Sequence, residues 1–291
     1  MANNLCIIVP HFGSDEDLIN FVNRYKSLKS NIPLILGINN LVSDNLHNFL
    51  CAQNNVFFDY VEKKGSYSAR NYIIRKYYEK FSIFAFTDSD CILTESYFEA
   101  LSQLEDSQNQ IIAGKIRIVK PDATYSQSIY LYEKLFELNQ SEFETKKKGV
   151  TANLVISKKI FENQGLFNED LYSGGDNEFC NIAETNCCEF IYNEELLVLH
   201  PARRSYGDLI NKNTRVFGGW YTRYSWHKLP FLLRILTIFY SMRPPINRLK
   251  MIFLSPNSLY DKIRIIKVLF FVRLVRLLFH FKLIIRFEPC R

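Results

Sequence analysis

Four apolar runs, LCIIVP, IPLILGIN, VFFDYVE and SIFAFT, recur between residues 5 and 87, each short and rich in Ile, Val and Phe. A strand with one wet face alternates apolar and polar residues. Runs as continuous as these belong to strands covered on both faces, the habit of parallel sheets. Helical segments follow the first, third and fourth runs. They are SDEDLINFVNRYKSL with Ser14 as N-cap, SYSARNYIIRKYYEKF opened by Gly65 and Ser66, and TESYFEALSQLE with Thr94 as N-cap. The alternation predicts an α/β domain whose mostly parallel sheet is flanked by helices. Further on, IIAGKIRIV and NLVIS read as strands and SQSIYLYEKLFELNQSEF as a helix. KKIFENQG is a short helix stopped by Gly165, and GGDNEFCNIAE a glycine turn leading into another helix.

The fourth run ends in Thr87, Asp88, Ser89 and Asp90. In open α/β sheets ligands collect outside the carboxyl ends of the strands. Two carboxylates one residue apart at such an end suit a hard divalent cation, which takes oxygen ligands. The plain alternative is a turn with solvated acids.

In chain order stand VPHFGSDEDL, GSYSARNYIIRKYY, FTDSDCIL, GVTANLVISKKIFENQGLFNEDL and SGGDNEF. From about Leu5 to His200 this order and spacing resembles the inverting family 2 glycosyltransferases of bacterial type, which have the Rossmann-like GT-A fold. The resemblance implies a nucleotide-sugar donor and a Mn²⁺ or Mg²⁺ ion on its diphosphate, where charge grows as the sugar leaves. It assigns the metal to Asp90, and Asp88 to the ribose or the metal with Ser89 beside it. His200, in LLVLHPARRS, is a third ligand or a structural histidine.

The family's base is the Asp of an acidic pair opening a helix. The matching residues are Gly175 and Asp176, so Asp176 is the expected general base, Gly175 replaces the first acid, and Glu178 is the second candidate; helix capping is the other reading of Asp176. Pro10, His11 and Gly13 end the first strand where the family holds the nucleotide. Asn39, with Asn40, stands where relatives often carry an acidic pair, which leaves the base open. Arg70 and Asn71 match the family's A-R-N helix start, as nucleotide contacts or as surface residues. Trp220, with Tyr221, Tyr224 and Trp226 in GGWYTRYSW, is an acceptor platform or a hinge. Arg203, Arg204 and Arg215 reach phosphates or line a basic loop.

With 47% hydrophobic and 23% charged residues over 291 positions, the chain can bury a large core. Its seven Cys lack C-x-x-C spacing, which argues against structural zinc or a disulfide framework and for reduced thiols in a cytoplasmic protein. The N-terminus lacks the pattern of an export signal. Net charge is uneven: residues 228–291 hold 13 Lys and Arg against 2 Asp and Glu, while residues 1–227 are net −5. The expected division is a GT-A catalytic domain over 1–227 and a basic, amphipathic helical region over 228–291.

Charge-free runs within residues 262–287 reach five residues, far short of a span of ~20. At 100° per residue Arg273, Arg276 and His280 share a face, as on a helix lying in the head-group plane of an anionic membrane. Packing of this region on the rest of the protein, or on a second copy in a homodimer, is the alternative. So apolar a surface argues against nucleic acid.

The combined expectation is a metal-dependent glycosyltransferase acting on a saccharide or lipid-linked saccharide in surface glycan synthesis, at the inner face of the cell membrane. A sugar-nucleotidyltransferase fits less well, because VPHFGSDEDL has three acids where a triphosphate needs a basic glycine loop. A non-catalytic, membrane-attached binding protein of the same fold is the third reading, kept by Gly175 and Asn39.

Overall fold

The computed structural model of the chain describes residues 4–105, 109–122, 124–171, 173–186, 188–223 and 225–286. Cys187, Tyr224 and Cys290 lie outside the described residues. The strands are β1 Leu5–His11, β2 Leu34–Ile38, β3 Val56–Tyr60, β4 Ile83–Thr87, β5 Ile92–Leu93, β6 Gln110–Val119, β7 Asn153–Ser157 and β8 Glu189–Pro201. The first six helices are α1 Asp15–Ser27, α2 Asp44–Cys51, α3 Ser66–Tyr77, α4 Glu95–Ser102, α5 Gln127–Phe136 and α6 Phe143–Lys146. The others are α7 Lys158–Gln164, α8 Gly175–Thr185, α9 Tyr206–Arg223, α10 Phe231–Met242, α11 Ile246–Leu254 and α12 Leu259–Arg286.

The chain forms two compact units that interleave in sequence. The first holds Met1–Arg117, Leu138–Asp170 and Gly175–His200; the second holds Ile118–Glu137, Leu171–Gly174 and Pro201–Arg291. Chain order alone suggests a cut at residue 227, whereas contacts group α5 and α9 with the C-terminal helices.

The first unit is built on an eight-stranded sheet in the order β3-β2-β1-β4-β7-β6-β8-β5. Strands β3, β2, β1 and β4 pair in parallel, which is the half that strand–helix alternation encodes. Beyond β4, β7 pairs antiparallel with both β4 and β6, and β5 pairs antiparallel with β8, so the sheet is mixed. Every residue of β2, β4 and β7 is buried, as two covered faces require. Helix α1 shows how the flanking layer is specified. Ser14 Oγ accepts the Asp17 N–H at 3.2 Å, three acids fill the first turn, and Leu18, Phe21, Val22 and Tyr25 form the buried stripe. Thr94 caps α4 in the same way, and α7 stops at Gly165, whose φ of 83° lies in the left-handed region.

The second unit is helical. Ile129, Leu131 and Tyr132 of α5, Leu209 of α9 and Ile252 of α11 close around Ile265, Val268 and Leu269 of α12. Helix α12 is therefore the spine of this unit. That overturns the expected head-group face: His280 is wholly buried beside Tyr221, and the Arg276 guanidinium sits over the rings of Phe217 and Trp220 on α9. A 28-residue helix with apolar residues most of the way round has several candidate faces, and packing selected the one that sequence spacing had turned outward.

Candidate active site

Because β1, β2 and β4 are parallel, their carboxyl ends emerge at one edge of the sheet. Pro10 pairs with Gly37 and His11 with Ile38, so Asn39 follows directly beside them and its N–H donates to the His11 carbonyl at 2.9 Å. Strand β4 ends at Thr87, whose hydroxyl donates to the Ala152 carbonyl at 3.0 Å. The chain then turns through Asp88, Ser89 and Asp90 into β5. Ser89 Oγ lies 3.1 Å from His11 Nδ1, which fastens the two strand ends together.

Strand β5 is only two residues long, yet it sets the constellation. Ile92 pairs antiparallel with Leu199, so the residue before it faces the residue after Leu199. His200 is thereby brought to the turn, its Nε2 3.5 Å from Asp90 Oδ2. Among the described residues, Asp90, Cys91 and His200 form a cluster whose donor atoms lie within 4.8 Å of one another. Asp88 is not in that cluster. Its Oδ1 is held by the Arg70 guanidinium, which is buried to 2% exposure in α3. Burial raises the Asp88 carboxyl above its usual range, Arg70 and His200 pull it back, and Asp90 and Asp176 push it up again.

The donor set fits a hard divalent ion. Asp90 offers oxygen and His200 imidazole nitrogen, both accepted by Mn²⁺. Burial drives the Cys91 thiol well up, so it stays protonated, and it points its S–H to the Ala152 carbonyl. The expected Asp90 and His200 thus come together, while Asp88 is committed to Arg70.

Asp176 sits in the first turn of α8 at 8% exposure. Its Oδ1 accepts from the Tyr67 hydroxyl at 3.2 Å and the Asn177 N–H at 2.9 Å, and its Oδ2 accepts from the Thr151 N–H at 3.2 Å. Two of these donors come from distant parts of the chain, which distinguishes the carboxylate from a simple helix cap. Each carboxylate oxygen accepts about two hydrogen bonds, so Oδ2 keeps a lone pair available. Burial raises the Asp176 carboxyl; the Asn177 and Thr151 amides, the Arg70 charge and the Tyr67 hydroxyl work against that rise.

Gly175 explains its own presence. A Cβ there would stand 2.8 Å from the Tyr67 ring, so the space beside Asp176 belongs to Tyr67 rather than to a side chain at 175. Tyr67 is the residue sequence reasoning missed. It lies one helical turn before Arg70 on α3, and the Arg70 guanidinium carbon is 5.8 Å from its ring centre. The signal was visible as the spacing 67 and 70 on a helix, but nothing in one sequence pairs Tyr67 with a glycine 108 positions later.

Other expected residues are structural in their visible contacts. The Asn39 amide donates to the Val61 and Lys63 carbonyls, 3.0 and 2.9 Å away. Asn71 donates to the Phe167 carbonyl and Glu169 and accepts from the Phe167 N–H, which uses its whole amide inside the protein. Gly13 is held at the strand ends by Asn40, which donates to its carbonyl at 3.0 Å. His11 is buried with Nε2 unpartnered, and desolvation lowers its pKa. Glu178 is half-buried and about 200° round α8 from Asp176 at the usual 100° per residue. Trp220 belongs to the second unit, 39% exposed on α9. Arg203 pairs with the buried Glu133 at 2.7 Å in that same unit, rather than standing in a solvated loop.

No family profile matches the chain. A curated relative, "Glycosyltransferase AglE" from Haloferax volcanii, is 27% identical over 160 residues, covering 54% of this chain and 51% of its own length. The chain thus spans about half the length of that relative. Among solved structures, the mannosyltransferase PcManGT from Pyrobaculum calidifontis, in complex with GDP-Man and Mn²⁺, superposes with a TM-score of 0.53 at 13% identity over 77% of this chain and 64% of that one. S. aureus TarS 1–349 gives 0.53 at 13% identity over 91% and 81%. These likenesses show the fold to be that of the GT-A glycosyltransferases.

Proposed function

We propose that the chain is an inverting glycosyltransferase that uses Mn²⁺ or Mg²⁺ to move a sugar from a nucleotide-sugar donor to a saccharide or lipid-linked saccharide at the cytoplasmic face of the cell membrane. One observation carries the reading: Asp90 and His200 converge at the carboxyl edge of the sheet, beside the Arg70–Asp88 pair. The partial likeness to AglE, and the GDP-Man and Mn²⁺ bound by the Pyrobaculum enzyme, support the same class of chemistry.

Asp90 and His200 hold the cation, which when bound neutralises charge on the diphosphate as the sugar leaves. Asp88, oriented by Arg70, takes the ribose side of the donor, and Pro10, His11, Gly13 and Ser89 line the nucleotide end of the same edge. Asp176 removes the proton from the acceptor hydroxyl through the available lone pair of Oδ2. Its carboxyl is raised by burial and so is a stronger base than a solvated Asp. A single displacement opposite the diphosphate inverts the anomeric carbon.

The test is release of nucleoside diphosphate from a panel of UDP-, GDP- and dTDP-sugars with Mn²⁺ or Mg²⁺. Release with one nucleotide that disappears on adding EDTA supports the reading. Failure of the chain to bind any nucleotide in the presence of metal removes it.

A further inference from the structure

The C-terminal helices of the second unit leave much apolar surface in water. On α10, Leu232, Leu236, Phe239 and Tyr240 recur at i, i+4, i+7 and i+8 and are 68%, 51%, 63% and 63% exposed. On α11, Phe253 and Leu254 are 59% and 75% exposed. Both helices already have a buried side, through Ile238 and Ile252, and both contact α12. What remains uncovered is thus a second face rather than an unpacked helix. Exposed apolar surface on this scale marks an interaction site.

Charge decides the occupant. Residues 228–286 carry 12 Lys and Arg and a single acid, Asp261, which is paired with Arg264 at 3.1 Å. Cations sit among the exposed residues. Arg243 lies 4.6 Å over the Tyr240 ring and Arg264 4.1 Å over Tyr260, while Lys262 Nζ donates to the Phe253 carbonyl at 2.9 Å. A second copy meeting this face across a two-fold axis would oppose cation to cation. Nucleic acid would satisfy the charges and leave the Leu and Phe side chains wet. An anionic bilayer satisfies both, with acyl chains for the apolar residues, phosphates for Arg and Lys, and aromatic rings at the boundary. Among the described residues no helix is long and apolar enough to cross a membrane, so the contact lies in the plane of the surface.

We infer that α10 and α11 form a docking face for an anionic lipid surface. The face differs from the Arg273–Arg276–His280 stripe that spacing alone suggested, because Arg276 and His280 are turned onto α9 while Arg273 donates to the Arg243 carbonyl at the end of α10. This inference deepens the membrane part of the proposed function, yet the assay reads binding without sugar transfer, so each can fail separately.

The experiment is co-sedimentation of the full chain with phosphatidylcholine vesicles, with and without phosphatidylglycerol. Binding should be about tenfold or more tighter to the anionic vesicles, since each Lys or Arg near such a surface contributes about 1 kcal/mol, and should weaken as salt rises. The pairs Leu236→Glu with Phe239→Glu, and Phe253→Glu with Leu254→Glu, should each lower binding at least tenfold with an unchanged circular dichroism spectrum. Arg243→Ala with Arg264→Ala, which leaves the apolar side chains in place, should lose the preference for anionic vesicles. Equal binding to both vesicle types, or acidic variants that bind like the parent chain, overturns the inference. So does a solution mass of two chains that falls to one in those variants, which would make the face a self-interface.

Discussion

Tyr67 gives the sharpest residue-scale consequence. Its ring fills the space that a side chain at 175 would need, and its hydroxyl donates to Asp176 Oδ1. Tyr67→Phe keeps the ring and removes the hydrogen bond. A hydrogen bond to a charged group contributes about 1.5–3 kcal/mol, so kcat should fall roughly tenfold or more while donor KM stays unchanged. The sign of the pH effect follows from Asp176. Burial raises its pKa and the Tyr67 hydroxyl lowers it, so the variant should carry a higher pKa still. A base must be deprotonated to act, so the acidic limb of the pH–rate profile should move to higher pH. A profile that does not move would mean that Tyr67 serves packing alone. Gly175→Ala places a Cβ against the ring and should cost about 1–3 kcal/mol of stability, read by denaturant titration.

At the scale of elements, helix α3 connects the two halves of the candidate site. Tyr67 faces Asp176, Arg70 faces Asp88, and Asn71 ties the helix to the segment at Phe167 and Glu169. Asn71→Ala leaves the Phe167 backbone groups without partners and should destabilise by about 2–4 kcal/mol, roughly 5–15 °C in Tm for a domain of this size. Glu169 supplies a pH prediction. Burial acts against its charge, but hydrogen bonds from Lys63, Asn71 and Arg75 win and hold the carboxyl down at about 2 from a usual 4.5. A depressed folded-state pKa stabilises above the unfolded value, and that contribution is lost as pH falls from 4.5 towards 2. Glu169→Gln should flatten stability over that interval in acid-titrated thermal melts.

These elements also mark how far the sequence could be read. Strand β4 and the acids after it were legible because apolar run, strand end and carboxylates are adjacent in the chain. Helices α1, α4 and α7 were legible from their caps and stop. The short β5 was not, since two residues carry no periodicity, and it is β5 that brings His200 to Asp90. The amides of Asn39 and Asn71 bond to distant groups, the Val61 and Lys63 carbonyls for Asn39 and the Phe167 backbone and Glu169 for Asn71, which no local pattern announces.

At the scale of the whole molecule, two units interleave along one chain, and residue order misstates which segments belong together. Helix α5 joins the C-terminal helices because Ile129 and Tyr132 pack into the same core as Ile265 and Val268. A long amphipathic helix such as α12 offers several faces to spacing arguments, and only packing identifies the buried one. The central claim concerns the first unit: Asp90 and His200 hold a cation for a nucleotide-sugar diphosphate, and Asp176 acts on the acceptor. The most direct measurement is calorimetric titration of the nucleotide that gives release in the donor panel, with Mn²⁺ or with EDTA, into the parent chain, Asp90→Ala and Asp176→Asn. Binding is expected in the parent and in Asp176→Asn with Mn²⁺, and loss is expected in EDTA and in Asp90→Ala. Equal nucleotide affinity in EDTA, or unchanged Mn²⁺-dependent binding in Asp90→Ala, would contradict it.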